Sequence, residues 1–297
     1  MNDVQIAHEG PDTDANGITG EGSAYYKTLV RSRYAPVNGL QMYYEIHGTT
    51  TARPLVTIHG FLGLRNVFPS LVSDRQLVTC DLQGHGRTVD IDRPLTFEQN
   101  ADDVAALLKY LQIDKADFFG ESFGGIVAML IATRHPALVR RVAVYGTALR
   151  KKAEVTRPES LAPFAQLTPD HRSVQYQRET YQRLAPDPAQ WPVSFAKSGQ
   201  MSMAWQGFPS EMLKSIQVRV LIAAGDHDLL SPMLEHHIGM FRLIPDAQLA
   251  IIPDAGHFVL NEDPEKLLPV VATFLDQRTS TVPFATTLSG YHPGETR

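Results

Sequence analysis

Apolar and polar positions alternate over residues 28–34 and again over 41–46, with Asn38-Gly39 between them. A period of two predicts half-buried strands, and Asn-Gly is the dipeptide favoured by a tight hairpin turn. Two short apolar runs, 55–58 and 77–80, predict buried strands. Then the pattern switches between helical and extended. Thr96-Phe97-Glu98-Gln99 has capping-box spacing and opens a helix over 101–111, with Val104, Leu107, Leu108 and Leu111 on one face. A strand over 115–119, a buried helix over 125–134 and a strand over 142–145 follow. After a long interruption the series resumes with a strand at 218–223, a helix at 233–242, a strand at 249–252 and a helix at 265–276. Pro269 should kink or shorten that last helix.

Strands alternating with helices predict an α/β fold with a mostly parallel sheet covered on both faces. The N-terminal hairpin supplies an antiparallel edge. The interruption, residues 150–216, shows no convincing strand, and its helical pieces fall at 169–184 and 189–197. It carries Phe164, Tyr176, Tyr181, Trp191, Phe195, Met201, Met203 and Trp205. A stretch of that length is too long for a bare loop, and it is expected to form a helical cap over the carboxyl ends of the strands. The expected organisation is a flexible tail (1–24), a core in two pieces (25–149 and 217–278), the cap (150–216) and a C-terminal tail (279–297).

The strand at 115–119 runs into Gly120-Glu121-Ser122-Phe123-Gly124 and then a helix. Strand, sharp turn and helix is the setting in which the serine of G-x-S-x-G becomes a nucleophile. Its hydroxyl needs a base, and the base an orienting carboxylate. Two candidates lie downstream, each just past a strand: Gly225-Asp226-His227-Asp228 and Asp254-Ala255-Gly256-His257. Strand ends on one side of a parallel sheet converge. The chain order Ser, Asp, His also suits such a site. Glu121 faces either the pocket or solvent at its rim.

Bulk properties narrow the partners. The 297 residues are 43% apolar, with net charge −5, no long basic run and one cysteine, Cys80, in an apolar strand. Nucleic acid and anionic membrane surfaces are disfavoured, and no intrachain disulfide can form. No stretch reaches membrane-spanning length, and residues 1–22 lack a secretory signal pattern. A cytoplasmic protein is expected, with a homodimer left open. The eleven histidines form no metal-ligand spacing, and no G-x-G-x-x-G follows a strand. Neither a metal nor any other cofactor is expected.

His59-Gly60-Phe61-Leu62-Gly63, Asp81-Leu82-Gln83-Gly84-His85-Gly86-Arg87-Thr88, Gly120 to Gly125, and Gly225-Asp226-His227-Asp228 with Gly256-His257 together resemble the α/β-hydrolase superfamily, in its capped, cofactor-free serine branch. The resemblance runs from about residue 34 to 275, excluding most of the cap. It implies Ser122 as nucleophile, His257 as base and Asp228 as triad acid, with Asp226 as rival. It implies oxyanion donors at the backbone N–H of Phe61 and Phe123. His59, His85 and Asp81 are expected to brace their loops, and His236 and His237 to pack or face solvent. Serine at the nucleophile position argues against dehalogenase and epoxide-hydrolase chemistry. The implied reaction is cleavage of a small carboxylic ester through an acyl-enzyme. A lactonase, a C–C bond hydrolase, a perhydrolase and a ligand receptor with little turnover remain alternatives. Trp191, Met203 and Trp205 are the expected substrate contacts; the aromatic and methionine side chains of 150–216 otherwise form the cap's own core.

Overall fold

Asn38 and Gly39 have φ of 48° and 85°. They join β1 (Leu29–Val37) to β2 (Leu40–His47) with Val37 opposite Leu40, the two-residue turn that Asn-Gly predicts. The computed structural model describes residues 27–48, 53–61, 63, 68–72, 74–147, 172–228 and 234–276. Six further strands are β3 (Arg53–Ile58), β4 (Arg75–Cys80), β5 (Ala116–Glu121), β6 (Val139–Tyr145), β7 (Arg219–Gly225) and β8 (Ala247–Ile252). They form one sheet in the order β1-β2-β4-β3-β5-β6-β7-β8. β2 runs antiparallel to β1 and to β4, and the remaining pairings are parallel. Buried on both faces, the central parallel strands appear in the sequence as short continuous apolar runs.

The helices are α1 (Phe97–Tyr110), α2 (Phe123–Arg134), α3 (Arg172–Leu184), α4 (Trp191–Ala204), α5 (Ser210–Lys214), α6 (Leu234–Leu243), α7 (Val259–Glu262) and α8 (Leu268–Asp276). Val56, Ile58, Val142 and Val144 point to the sheet face that packs Val104 and Leu107 of α1, Met129 of α2 and Met240 of α6. Leu55, Ala143 and Tyr145, one residue out of phase, point to the face covered by Val259 of α7 and Val271 and Phe274 of α8. Every residue of α2 from Gly124 to Ala132 is buried, as suits a helix apolar all round.

The start of α1 and the region of α7 differ from the sequence expectation, while Pro269 acts as expected. Helix α1 starts at Phe97, four residues before 101, because Thr96 Oγ1 accepts the Gln99 N–H at 3.0 Å and nucleates the first turn. Only half of the capping box forms. The Gln99 side chain instead donates to Asp103 Oδ1 at 3.0 Å, a buried carboxylate that also takes Asn38 Nδ2 at 2.9 Å and the Arg93 guanidinium. Pro269 shortens its helix: α8 begins at Leu268, which leaves the proline in the first turn where no intrahelical N–H is needed. Residues 264–266 form a separate 3-10 turn, and α7 has no counterpart in the sequence expectation.

Of the interruption, residues 150–171 lie outside the described residues, as do both expected tails, 1–24 and 279–297. Val174 and Tyr181 of α3 pack on Trp191 of α4 in a small cluster of their own. Helix α4 is also fastened to the main body. Lys197 Nζ donates to Asp90 Oδ2 at 2.6 Å and to the carbonyls of Ile91 and Arg93 at 3.1 and 3.2 Å. Met201, Phe208, Leu213 and Ile216 join the same core cluster as α1. Among the described residues no helix is long and apolar enough to cross a membrane. The α1 start gives a clean test. Thr96→Ala should lower the unfolding free energy by about 1 kcal/mol, read as a lower urea midpoint at unchanged slope; an unchanged midpoint would mean the cap contributes nothing.

Candidate active site

Ser122 sits between β5 and α2 with φ 52° and ψ −115°. Serine rarely adopts this region, so its surroundings must hold it there. Its N–H donates to the Tyr145 carbonyl at 2.8 Å, while its own carbonyl accepts from Gly125 N–H at 3.1 Å and Thr147 Oγ1 at 3.2 Å. The turn is so close-packed that a Cβ on Gly120 would strike the Gly124 carbonyl, and one on Gly124 the Ile58 carbonyl. Glycines at both positions let β5, α2 and the end of β3 approach closely around the serine. Glu121, left undecided by the sequence, is buried at the end of β5.

His257 follows β8, and its Nδ1 lies 2.9 and 3.1 Å from the two carboxylate oxygens of Asp228, which follows β7. The Asp228 side chain is fully buried and that of His257 is 9% exposed. A carboxylate accepts, so Nδ1 carries the proton in this contact and Nε2 is left as the basic nitrogen. Asp226 is turned elsewhere: its Oδ1 meets His227 Nδ1 at 2.8 Å and accepts the Ala255 N–H at 3.3 Å.

The segment after β6 joins these groups. A Cβ on Gly146 would stand 3.0 Å from His257 Nδ1 and 3.1 Å from Asp228 Oδ2. The preceding residue, Tyr145, takes the Ser122 N–H on its carbonyl and donates its hydroxyl to the Gly256 carbonyl at 2.5 Å. Burial pushes the Tyr145 phenol up, with the Asp228 and Glu121 carboxylates adding to the shift, so it stays a donor. Ser122 and the His257 loop are therefore referred to one residue. Sequence reasoning missed Tyr145 and Thr147, because in the sequence they are only the end of an apolar strand.

The loop after β3 closes the other side. A Cβ on Gly60 would lie 3.3 Å from the Ser122 Cβ. The Gly60 carbonyl accepts from His59 Nδ1 at 2.9 Å and from Gly63 N–H at 3.0 Å. His59 Nε2 accepts the Leu82 N–H at 3.1 Å, so both ring nitrogens are engaged with backbone and the ring serves as a brace. His85 and Asp81 brace the next loop. His85 Nδ1 meets the Gln83 carbonyl at 2.8 Å, and Asp81 Oδ2 accepts the Arg87 N–H at 2.8 Å. Burial, with His59 nearby, depresses His85 to about 3, so it remains neutral. His236 and His237 are both buried on α6.

The rings of Phe61 and Phe123 meet edge to face at 5.2 Å. Phe123 is the first residue of α2, whose leading N–H groups have no acceptor within the helix. Of the three expected substrate contacts, Trp191 is 5% exposed between Tyr181 and Phe195. Trp205 packs on Phe97 and Phe208, within the main core. Met203 is 86% exposed. Helix α4 buries Trp191, Ser194, Ser198 and Met201 at helical spacing, and Met203 falls on the opposite face. Met203 thus faces solvent, and Trp205, half-buried, packs against the core. Among the described residues no group of three or more His, Cys, Asp or Glu is arranged to hold a metal ion.

Comparison with known proteins agrees with this architecture. Residues 55–270 match the Alpha/beta hydrolase family. The poly(3-hydroxyalkanoate) depolymerase of Ectopseudomonas oleovorans is 29% identical over 242 residues, covering 75% of this chain and 84% of the relative. The 3-oxoadipate enol-lactonase of Acinetobacter baylyi is 27% identical over 222 residues, covering 69% and 80%. A crystal structure of a serine hydrolase involved in carbazole degradation superposes with a TM-score of 0.68 at 25% identity, covering 84% of this chain and 100% of the other. With nearly three quarters of its length matched by one family model, the chain belongs to the alpha/beta hydrolase family.

Proposed function

We propose that this chain is a serine hydrolase that cleaves carboxylic esters of small molecules through an acyl-enzyme on Ser122. The observation that carries the reading is the two-oxygen contact of buried Asp228 with His257 Nδ1, beside a serine held in a left-handed turn. Asp228 fixes the tautomer of His257, whose Nε2 takes the Ser122 proton as Oγ attacks the substrate carbonyl. The carbonyl oxygen gains negative charge and is met by the N–H groups of Phe61 and Phe123. Collapse breaks the ester C–O bond, and the leaving alkoxide takes the proton from His257. A water then loses its proton to His257 and attacks the acyl carbon; the acyl C–Oγ bond breaks, Ser122 Oγ takes the proton back from His257, and the carboxylic acid is released. Tyr145 positions the reacting pair, since its carbonyl holds Ser122 and its hydroxyl holds the residue before His257.

The rings of Phe61, Phe123 and Phe195 favour an apolar acyl or aryl group. Helices α3 and α4 act as the cap. Lactone opening is the second reading. It uses the same steps with the leaving group tethered, and similarity to an enol-lactonase supports it.

Turnover of p-nitrophenyl esters of increasing chain length, alongside lactones and diketones, tests the proposal. Ser122→Ala should fold normally and lose on the order of 10⁴-fold or more in kcat. Asp228→Asn should lose on the order of 10³–10⁴-fold, while Asp226→Asn stays within about threefold. Wild-type turnover in Ser122→Ala would remove the nucleophile, and loss confined to Asp226→Asn would reassign the acid. Binding without turnover in the wild type would make the chain a receptor. A separate arm concerns Tyr145→Phe, which deletes one hydroxyl and leaves the Gly256 carbonyl unpaired. It should lower stability by about 1–2 kcal/mol and kcat by about tenfold at unchanged KM. An unaltered kcat would show that the hydroxyl positions nothing.

A further inference from the structure

Phe61 stands at a joint between the main body and the α3–α4 region. The peptide that carries its N–H is the one whose carbonyl belongs to Gly60. That carbonyl is fixed from the core side by His59 Nδ1 at 2.9 Å and Gly63 N–H at 3.0 Å. Because the peptide is planar and trans, fixing the carbonyl aims the N–H. The next peptide is held from the other side. Gln177 of α3 donates its Nε2 to the Phe61 carbonyl at 3.1 Å. The Phe61 ring packs on the small cluster of Val174, Tyr181 and Trp191 and lies 6.1 Å from Phe195. The same ring touches Phe123, the other expected donor, at 5.2 Å. The two backbone dihedrals of Phe61 are therefore set by both bodies together: the core holds the peptide on one side of its Cα, and α3 holds the peptide on the other.

We propose that Gln177 is a positioning residue through which the seating of α3 sets the oxyanion hole. When α3 is docked, its amide holds the Phe61 carbonyl outward, and the Phe61 N–H is presented to the developing oxyanion. When α3 moves away, the Phe61 carbonyl loses its Gln177 contact, the backbone at Phe61 is held from the core side alone, and the aim of its N–H is less sharply fixed. Full electrostatic stabilisation is then available only with α3 docked. This rests on reading Phe61 N–H as an oxyanion donor. It goes further in assigning the control of that donor to a side chain 116 positions away in sequence.

The test compares Gln177→Leu, which removes the donor at similar volume, with Gln177→Glu, which sets a carboxylate against a carbonyl. Tyr176→Ala, at a neighbouring half-exposed site on the same helix, controls for disturbance of α3. Each variant is assayed for kcat and KM on the best p-nitrophenyl ester. Each is also assayed for affinity towards a trifluoromethyl ketone that carries the same acyl group and forms a tetrahedral adduct, and towards the product carboxylate. Gln177→Leu should lose about tenfold in kcat with KM within about twofold, and Gln177→Glu should lose more. Ketone affinity should fall in step with kcat, while product affinity and Tyr176→Ala stay near wild type. Wild-type kcat in both Gln177 variants, a loss wholly in KM, unchanged ketone affinity, or an equal loss in Tyr176→Ala would each overturn the proposal. If Ser122→Ala is itself fully active, the reaction reading fails first, which separates the two failures.

Discussion

A serine held at φ 52° is the constraint from which the arrangement of this site follows. Such backbone costs about 1–3 kcal/mol and persists only when the surrounding structure over-determines it. Here the surroundings are the Tyr145 carbonyl on the Ser122 N–H, the Thr147 hydroxyl on the Ser122 carbonyl, and two glycines that let a strand and a helix meet without side chains between them. The turn sets Ser122 at the end of β5, against Gly60 of the loop after β3 and the Tyr145 carbonyl at the end of β6. A larger residue at Gly124 would push α2 off the Ile58 carbonyl and lower the serine back toward the sheet.

Two residues act as reference points for everything around that turn. Tyr145 ties Ser122 to the loop after β8 with its carbonyl and its hydroxyl, and Gly146 lets the His257–Asp228 pair pack against the same backbone. Phe61 links the loop after β3 to α3 and α4 through its ring and its carbonyl. The first reference point lies wholly within the sheet and its loops. The second spans two packed bodies, so the geometry it sets depends on how those bodies dock.

Much of this was legible in the sequence because it is local. Asn38-Gly39 specifies its turn, the short apolar runs specify buried parallel strands, and Gly120 to Gly125 specifies a tight strand-to-helix corner. The expectation that Ser122 and residues more than a hundred positions later share one rim of the sheet came from the general convergence of strand ends. The choice of Asp228 over Asp226 came only from resemblance. Nothing local separates two carboxylates two residues apart, and the distinction lies in which one the β7–β8 loops turn inward. Tyr145 and Gln177 were invisible because their partners are carbonyl oxygens, which every residue has. The solvent-facing position of Met203 was not legible, because a methionine near a helix end carries no mark of which face it occupies; only the burial of Trp191, Ser194, Ser198 and Met201 reveals it. The partners of Trp205 were not legible either, because a large aromatic serves a pocket and a core equally well; here Phe97 and Phe208 pack on it.

The central claim is that this geometry makes one ordinary alcohol far more reactive than the others in the chain. Covalent labelling with a fluorophosphonate, followed by mass spectrometry of the digested protein, tests it most directly. The account predicts one adduct per chain, on the peptide containing Ser122, formed slowly when His257 is replaced by alanine. Labelling at another residue, or equal labelling with and without the His257 imidazole, would contradict it.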